Sequence, residues 1–169
     1  MKRPLAKTAA FSLVEIVLAI GVTAFALIAI LGMLPVALKT QQTSIQQTTA
    51  NEIMNTIFGD MRADVRLPPG QQNKSQEGQM GLGLHGHWAA VATPDTLFFD
   101  DQGKQIGTAT PGTDPAAPAG AAFRAKITYL FPPNASTSVA KIIVSWPAAV
   151  ILTTGVPAGS IETFIAVNR

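Results

Sequence analysis

The first candidates for metal binding are the two histidines, His85 and His87, which are separated by one glycine. Imidazole is a common ligand of transition metals. Because the pair lies in a glycine-rich stretch without a nearby Asp or Glu, two solvated histidines are the favoured interpretation. The Asp100-Asp101-Gln102-Gly103 run has oxygen ligands, but it lacks the spacing of a calcium loop and favours a turn. The sequence therefore predicts no metal and no cofactor.

Motifs of catalysis are missing or incomplete. The chain has no G-x-S-x-G, P-loop or H-E-x-x-H sequence. Gly81, Gly83 and Gly86 match a dinucleotide fingerprint in spacing, but the strand, helix and acidic residue that such a site needs are not indicated around them. Cysteine is absent, which excludes disulfides, thiolate catalysis and cysteine-ligated metals. No catalytic residue emerges, and we expect a protein that is not an enzyme.

Glu15 is the one ionisable residue in an apolar run of 28 residues from Phe11 to Leu38. Only 13% of the chain is charged, and the apolar excess is concentrated in this run. As a helix at about 1.5 Å per residue, the charge-free part from Ile16 to Leu38 would reach roughly 35 Å, enough for a hydrocarbon core of about 30 Å. A carboxylate in such a span costs about 2.5 to 3.5 kcal/mol at its centre and less near an interface. Glu15 therefore has either a partner or an interfacial position on an ordinary anchor.

Charges around this run predict its orientation. Lys2, Arg3 and Lys7 precede it, and Lys39 is the one basic residue directly after it. This bias favours a cytoplasmic N-terminus and an exported remainder. Without the three leading charges, 9 basic residues face 10 acidic ones, so no basic nucleic-acid surface is indicated. The run is longer than the apolar part of a secretory signal, and no A-x-A-like site follows it.

The stretch from Lys7 to Ile20, with the sequence KTAAFSLVEIVLAI, closely resembles the class III signal of type IV pilins and type II secretion pseudopilins. In that family, prepilin peptidase removes a short basic leader on the cytoplasmic side, and the new N-terminal residue is N-methylated. The resemblance implies cleavage between Ala10 and Phe11, methylation of Phe11, and Glu15 as the fifth mature residue, where the family has its Glu. Ala10 departs from the usual Gly, which leaves slow processing or an uncleaved chain open.

A weaker resemblance is to the prepilin-type cassette proteins reported from Verrucomicrobia. It is carried by the start from Phe11 to Glu15 and by Leu34-Pro35-Val36.

Cleavage would give Glu15 a physical role in assembly. The free amine of Phe11 and the Glu15 carboxylate are each costly alone in an apolar helical bundle. Paired between neighbouring subunits, they neutralise each other and fix a register. Gly32 and Pro35 interrupt the run near its outer end, and they predict either a helix break used in packing or a plain irregularity.

The sequence predicts an α+β, pilin-like fold: a long N-terminal helix, membrane-spanning and then amphipathic, packed on a small antiparallel β-sheet. The expected order is a leader (1–10), a membrane helix (11–38), an amphipathic continuation (39–67) and a β-rich head (68–169) with loops at 71–86 and 107–120. At 100° per residue, an arc of about 140° collects the apolar residues of the continuation, with Asp64 as the exception. They are Ala50, Ile53, Met54, Ile57, Phe58, Met61 and Val65.

Alternating apolar residues predict the strands of the head. Odd positions are apolar from Ala122 to Phe131, with Arg124, Lys126 and Thr128 on a solvated face. Similar alternation runs over Val139–Trp146 and Ile161–Val167. Thr96–Phe99 and Lys104–Ile106 bracket a turn and predict a hairpin. Short connections favour antiparallel order.

These observations favour a prepilin-like minor pseudopilin, a structural subunit of a pseudopilus in a type II secretion or type IV pilus-like system. Its expected partners are prepilin peptidase, other pilin-like subunits and the bacterial inner membrane, with the head in the periplasm. Two alternatives stay open: a pilus-associated binding module for DNA, a surface or a secreted substrate, and an uncleaved single-pass anchor with an unrelated domain. A platform of aromatics could serve the former, although burial of the aromatics is favoured in so small a head.

Overall fold

The computed structural model describes residues 11–65, 81–84, 94–107, 114–130 and 137–168. Its elements are one helix, α1 (Leu13–Val65), and four strands, β1 (Asp95–Phe99), β2 (Phe123–Tyr129), β3 (Thr137–Trp146) and β4 (Gly159–Asn168). The predicted α+β class, with a long N-terminal helix and a small antiparallel sheet, is confirmed. The chain forms two compact units, Met1–Thr43 and Ser44–Arg169, which we describe separately.

The first unit contains the apolar part of α1. From Leu13 to Leu38, its large apolar side chains are between 49% and 81% exposed. This part of α1 is long and apolar enough to cross a membrane. Thr23 and Thr40 each donate a side-chain hydrogen bond to the carbonyl four residues back, at 2.8 and 3.0 Å, so their hydroxyl protons are satisfied within the helix. The apolar surface needs a cover that the described part of the chain does not supply.

The second unit begins in α1 and turns its apolar stripe inward. Five of the predicted stripe residues are fully or almost fully buried, and Phe58 is partly buried; the buried ones are Ala50, Ile53, Met54, Ile57 and Met61. The side chains of Asp64 and Val65 lie outside the described residues. Exposed polar residues such as Glu52 and Asn55 occupy the opposite side of the helix. The 3.6-residue periodicity therefore predicts which side of this part of α1 packs on the sheet.

The four strands follow one another in the sheet in sequence order, each antiparallel to the next. The β3–β4 ladder is the longest and pairs ten residues on each strand without a bulge, from Thr137 opposite Asn168 to Trp146 opposite Gly159. A Cβ atom at Gly159 would overlap the Trp146 indole, so this position requires glycine. Only the β2–β3 connection, residues 130–136, is too short for a parallel crossover; the connections before β2 and after β3 are longer, and their length alone does not impose antiparallel order.

One face of the sheet packs against α1 within the second unit. It supplies the buried residues that the alternation predicts on β2, β3 and β4, together with two from β1: Leu97, Phe99, Phe123, Ala125, Ile127, Tyr129, Ala140, Ile142, Val144, Trp146 and Ile165. Phe131 lies outside the described residues. Phe123 and Trp146 meet edge to face, with ring centroids 5.9 Å apart. The Tyr129 hydroxyl donates to the buried Asp95 carboxylate at 2.9 Å, which satisfies the phenol in the core.

The opposite face of the sheet departs from the predicted solvated face at Arg124, whereas Lys126 and Thr128 are partly exposed. Arg124 is only 1% exposed. Its Nε donates to the Ala148 carbonyl at 2.9 Å and its Nη2 to the Pro115 carbonyl at 3.0 Å. Residues 114–118, part of the predicted loop 107–120, thus lie over this face. Alternation in the sequence shows only which residues are polar. It does not distinguish an arginine that loop carbonyls cover from one that solvent surrounds.

The predicted hairpin after β1 is formed only in part. The turn at Asp100 is present, and Gly103 there has a positive φ of 78°. The returning segment contributes a single bridge between Phe99 and Gln105 instead of a second strand. Ile106 N also donates to the Phe98 carbonyl at 2.7 Å, so the segment covers the edge of β1.

Candidate functional site: the start of the N-terminal helix

Helix α1 begins directly after the predicted processing position. Ala10 lies outside the described residues; Phe11 precedes the helix and is 78% exposed. Ser12 is the N-cap, and Leu13 is the first helical residue. The predicted cleavage point is therefore followed after two residues by a regular helix, and the Phe11 side chain is left largely uncovered by the described part of the chain.

Ser12 and Glu15 form a reciprocal cap at this helix start. Glu15 N donates to the Ser12 hydroxyl at 3.2 Å, and Ser12 N donates to Glu15 Oε2 at 3.5 Å. The Glu15 N–H also faces the Ser12 carbonyl at 3.1 Å. In a capping box of this kind, two main-chain donors that the helix leaves without partners are satisfied by side chains. The negative carboxylate also lies at the positive end of the helix dipole.

A capping role was not predicted from the sequence, because Glu15 was considered only as a charge in an apolar span. The sequence does indicate this role, since Ser12 and Glu15 have the S-x-x-E spacing of a capping box immediately before an apolar run. The cap explains part of the tolerance for a carboxylate here. It engages one carboxylate oxygen at the long limit of a hydrogen bond, and Glu15 stays exposed. The Glu15 carboxylate is therefore sterically accessible to a second partner.

The small residues along α1 leave a shallow apolar depression in its exposed surface. It is lined by Ala19, Thr23 and Ala24 and flanked by Ile20 and Leu27. Small residues at helix surfaces let a second helix approach closely inside a membrane. Further along, Gly32 and Pro35 lie inside α1, which is helical through both positions. Pro35 has no N–H to donate to the carbonyl of Leu31, and its role as a breaking point stays a prediction.

The other candidates from the sequence do not gather into a site. His85, His87, Gly86 and Trp88 lie outside the described residues. Asp100 uses its carboxylate within the turn, where Oδ1 accepts from Gln102 N at 3.0 Å and Lys104 N at 2.8 Å. Among the residues that the structure describes, no group of three or more acidic or histidine side chains could hold a metal ion.

The described aromatics other than Phe164 and the N-terminal phenylalanines are buried, or partly buried in the case of Phe58, rather than arranged as a platform. Phe98, Phe99 and Trp146 are at most 5% exposed. Phe98 lies beneath the Arg124 guanidinium, whose central carbon is 4.9 Å from the ring centroid. The geometry therefore favours the start of α1 and its exposed apolar surface as the functional region.

Comparison with known proteins finds no match: no protein-family model, no curated protein and no solved structure is significantly similar to this chain.

Proposed function

We propose that this protein is a pilin-like structural subunit, of the minor pseudopilin type, that assembles through its N-terminal helix into a filament of a type II secretion or type IV pilus-like system. The observation that carries the proposal is an uncovered apolar helix that starts two residues after the predicted cleavage point. A surface this apolar has two suitable environments, a bilayer and a bundle of like helices. A pilin subunit occupies them in turn.

Assembly would depend on the pair of charges at the helix start. Removal of residues 1–10 by prepilin peptidase on the cytoplasmic side of the inner membrane creates an amine on Phe11. The Glu15 carboxylate, which is exposed at the cap, forms an ion pair with that amine on a neighbouring subunit. Each charge is costly alone in an apolar bundle, and the pair is neutral as a whole. The small-residue depression at Ala19, Thr23 and Ala24 supports close helix packing in the same bundle.

The processing step is tested by intact mass and N-terminal sequencing of the protein co-expressed with a prepilin peptidase. The expected product begins at Phe11, with the mass of one added methyl group. Ala10→Gly restores the usual residue of the family and is expected to speed cleavage. Phe11→Asp, beside the cut, is the inhibitory control. A chain that keeps residues 1–10 in all three forms would instead favour the uncleaved single-pass anchor.

The assembly step is tested by separating the two roles of Glu15. Glu15→Gln keeps a side chain that completes a capping box but removes the charge. Glu15→Ala removes both. We expect the two variants to lose incorporation into a sheared filament fraction to the same extent while remaining in the membrane. If Glu15→Gln assembles as the parent does and Glu15→Ala does not, the residue acts as a cap and the charge-pair step is wrong.

A further inference from the structure

Strand β4 forms an open edge of the sheet. It pairs with β3 on one side, and within the described ranges no strand pairs with its other side. Its ten residues are free of proline, lysine and bulges, the devices by which edge strands usually avoid new partners. With respect to the described residues, the main-chain N–H and C=O groups directed outward from alternate residues are therefore available to another extended strand.

An exposed aromatic ring marks the middle of this edge. Phe164 is 57% exposed, whereas the other described phenylalanines of the second unit are buried or partly buried. Lys141 Nζ lies 5.8 Å from the centroid of the ring and 2.8 Å from Glu162 Oε1. The single carboxylate of β4 is thus paired within the same copy, which leaves the strand with little net charge to repel a second strand.

The opposite edge of the sheet is closed. All five residues of β1 are buried, and the 100–107 segment runs along it through the Phe99–Gln105 bridge and the Ile106-to-Phe98 hydrogen bond. A strand added to β1 would have to displace this segment at Phe98 and Phe99, whereas no described residue pairs with the outer side of β4. Joining β4 to β4 is therefore the favoured way for two copies to extend their sheets.

We propose that β4 pairs antiparallel with β4 of a second copy across a two-fold axis, with Phe164 on the axis. This pairing would join the two four-stranded sheets into one. Residues on the same face of the sheet must oppose one another, so the residue on the axis opposes itself. If Glu162 lay on the axis, its carboxylate would face the Glu162 carboxylate of the second copy, and this register is disfavoured.

Phe164 on the axis places two exposed rings side by side, a favourable cross-strand pair. In this register, Glu162 opposes Ala166 of the second copy. The pairing covers the β4 edge of both copies, so the assembly is a closed dimer. It does not depend on the proposed filament, and it applies equally to a chain that keeps its leader.

The absence of cysteine allows a direct test with the full chain in detergent. Single cysteines are placed on the outer face of β4 by Ser160→Cys, Glu162→Cys, Phe164→Cys and Ala166→Cys, and the proteins are oxidised. Because only the axial residue opposes itself, we expect the disulfide-linked dimer to peak at position 164, several-fold above the other three positions. Equal yields at all four positions would indicate random collision and overturn the proposal, and a peak elsewhere would overturn the register.

A second measurement removes dependence on the cysteine variants. The parent protein is expected to sediment as a dimer, after correction for bound detergent, and Phe164→Asp to shift it to monomer because two carboxylates would then meet at the axis. Val156→Asp adds the same charge at another exposed position outside β4 and should leave the dimer intact. A parent that is monomeric, or a dimer that withstands Phe164→Asp, would show that β4 does not join the copies.

Discussion

Through its guanidinium, Arg124 joins three parts of the second unit: β2, the segment 114–118 and the turn after β3. Burial lowers the pKa of Arg124, and the nearby Asp114 carboxylate raises it in part. That carboxylate accepts two hydrogen bonds from Lys126 at 2.9 Å rather than bonding Arg124 directly. The guanidinium is stabilised instead by two carbonyls and by the Phe98 ring below it. Such neutral partners hold a buried cation less strongly than a carboxylate would.

We expect Arg124→Met to destabilise the second unit by about 2 kcal/mol, because the Ala148 and Pro115 carbonyls lose their charged donor while the packing volume is largely kept. Urea unfolding of the full chain in detergent, followed by tryptophan fluorescence, measures the loss. Lys126→Met is the matched control on the same strand. Its ion pair with Asp114 is partly exposed, so a loss below about 1 kcal/mol is expected. Equal losses for the two variants would contradict the structural role of Arg124.

At the scale of single elements, α1 changes its environment along its length. Ile57 is fully buried against the sheet, whereas Ile45, three turns earlier, is 58% exposed. The two residues have the same type and lie in the same helix, so their propensities are equal. Any difference in their contributions to stability therefore arises from packing alone.

Ile57→Ala is expected to lower the free energy of unfolding by about 2 to 5 kcal/mol, since it removes buried methyl groups and leaves a cavity. Ile45→Ala is expected to change it by less than about 0.5 kcal/mol. The same fluorescence-detected urea titration compares the two. A cost at Ile45 similar to that at Ile57 would mean that the exposed side of the helix is covered in the isolated protein.

How much of these elements the sequence could predict depends on what their residues face. The inner faces of β2 and β3 and the stripe of α1 were predictable because burial imposes a strict period of two or 3.6 residues. The burial of Arg124 was not, since it depends on where a loop without periodicity lies. The reciprocal cap between Ser12 and Glu15 was readable from its spacing alone. The absence of a second strand around Gln105 could not be predicted, because the neighbouring elements decide whether a short polar segment pairs as a strand.

At the scale of the whole molecule, the two units differ in what surrounds them. The second unit has its own core, and its described apolar residues are mostly buried. The first exposes the apolar surface of a helix that is long and apolar enough to cross a membrane. Such a surface is unfavourable in water, and we expect lipid or other helices to cover it. The three basic residues before the apolar run, Lys2, Arg3 and Lys7, are the feature that would set its orientation.

The proposed orientation is open to test in intact spheroplasts with a membrane-impermeant maleimide. Gln102→Cys places a thiol at an exposed turn of the second unit, and Lys2→Cys places one before the apolar run, in a chain that otherwise lacks cysteine. With the head outside the cytoplasm, Gln102→Cys is labelled in intact spheroplasts and Lys2→Cys only after lysis. Lys2→Cys is examined without prepilin peptidase, since cleavage would remove the label. The reverse pattern would place the head in the cytoplasm, where pseudopilus assembly could not occur, and it would put the Lys2, Arg3 and Lys7 charges on the outer side, against the usual bias.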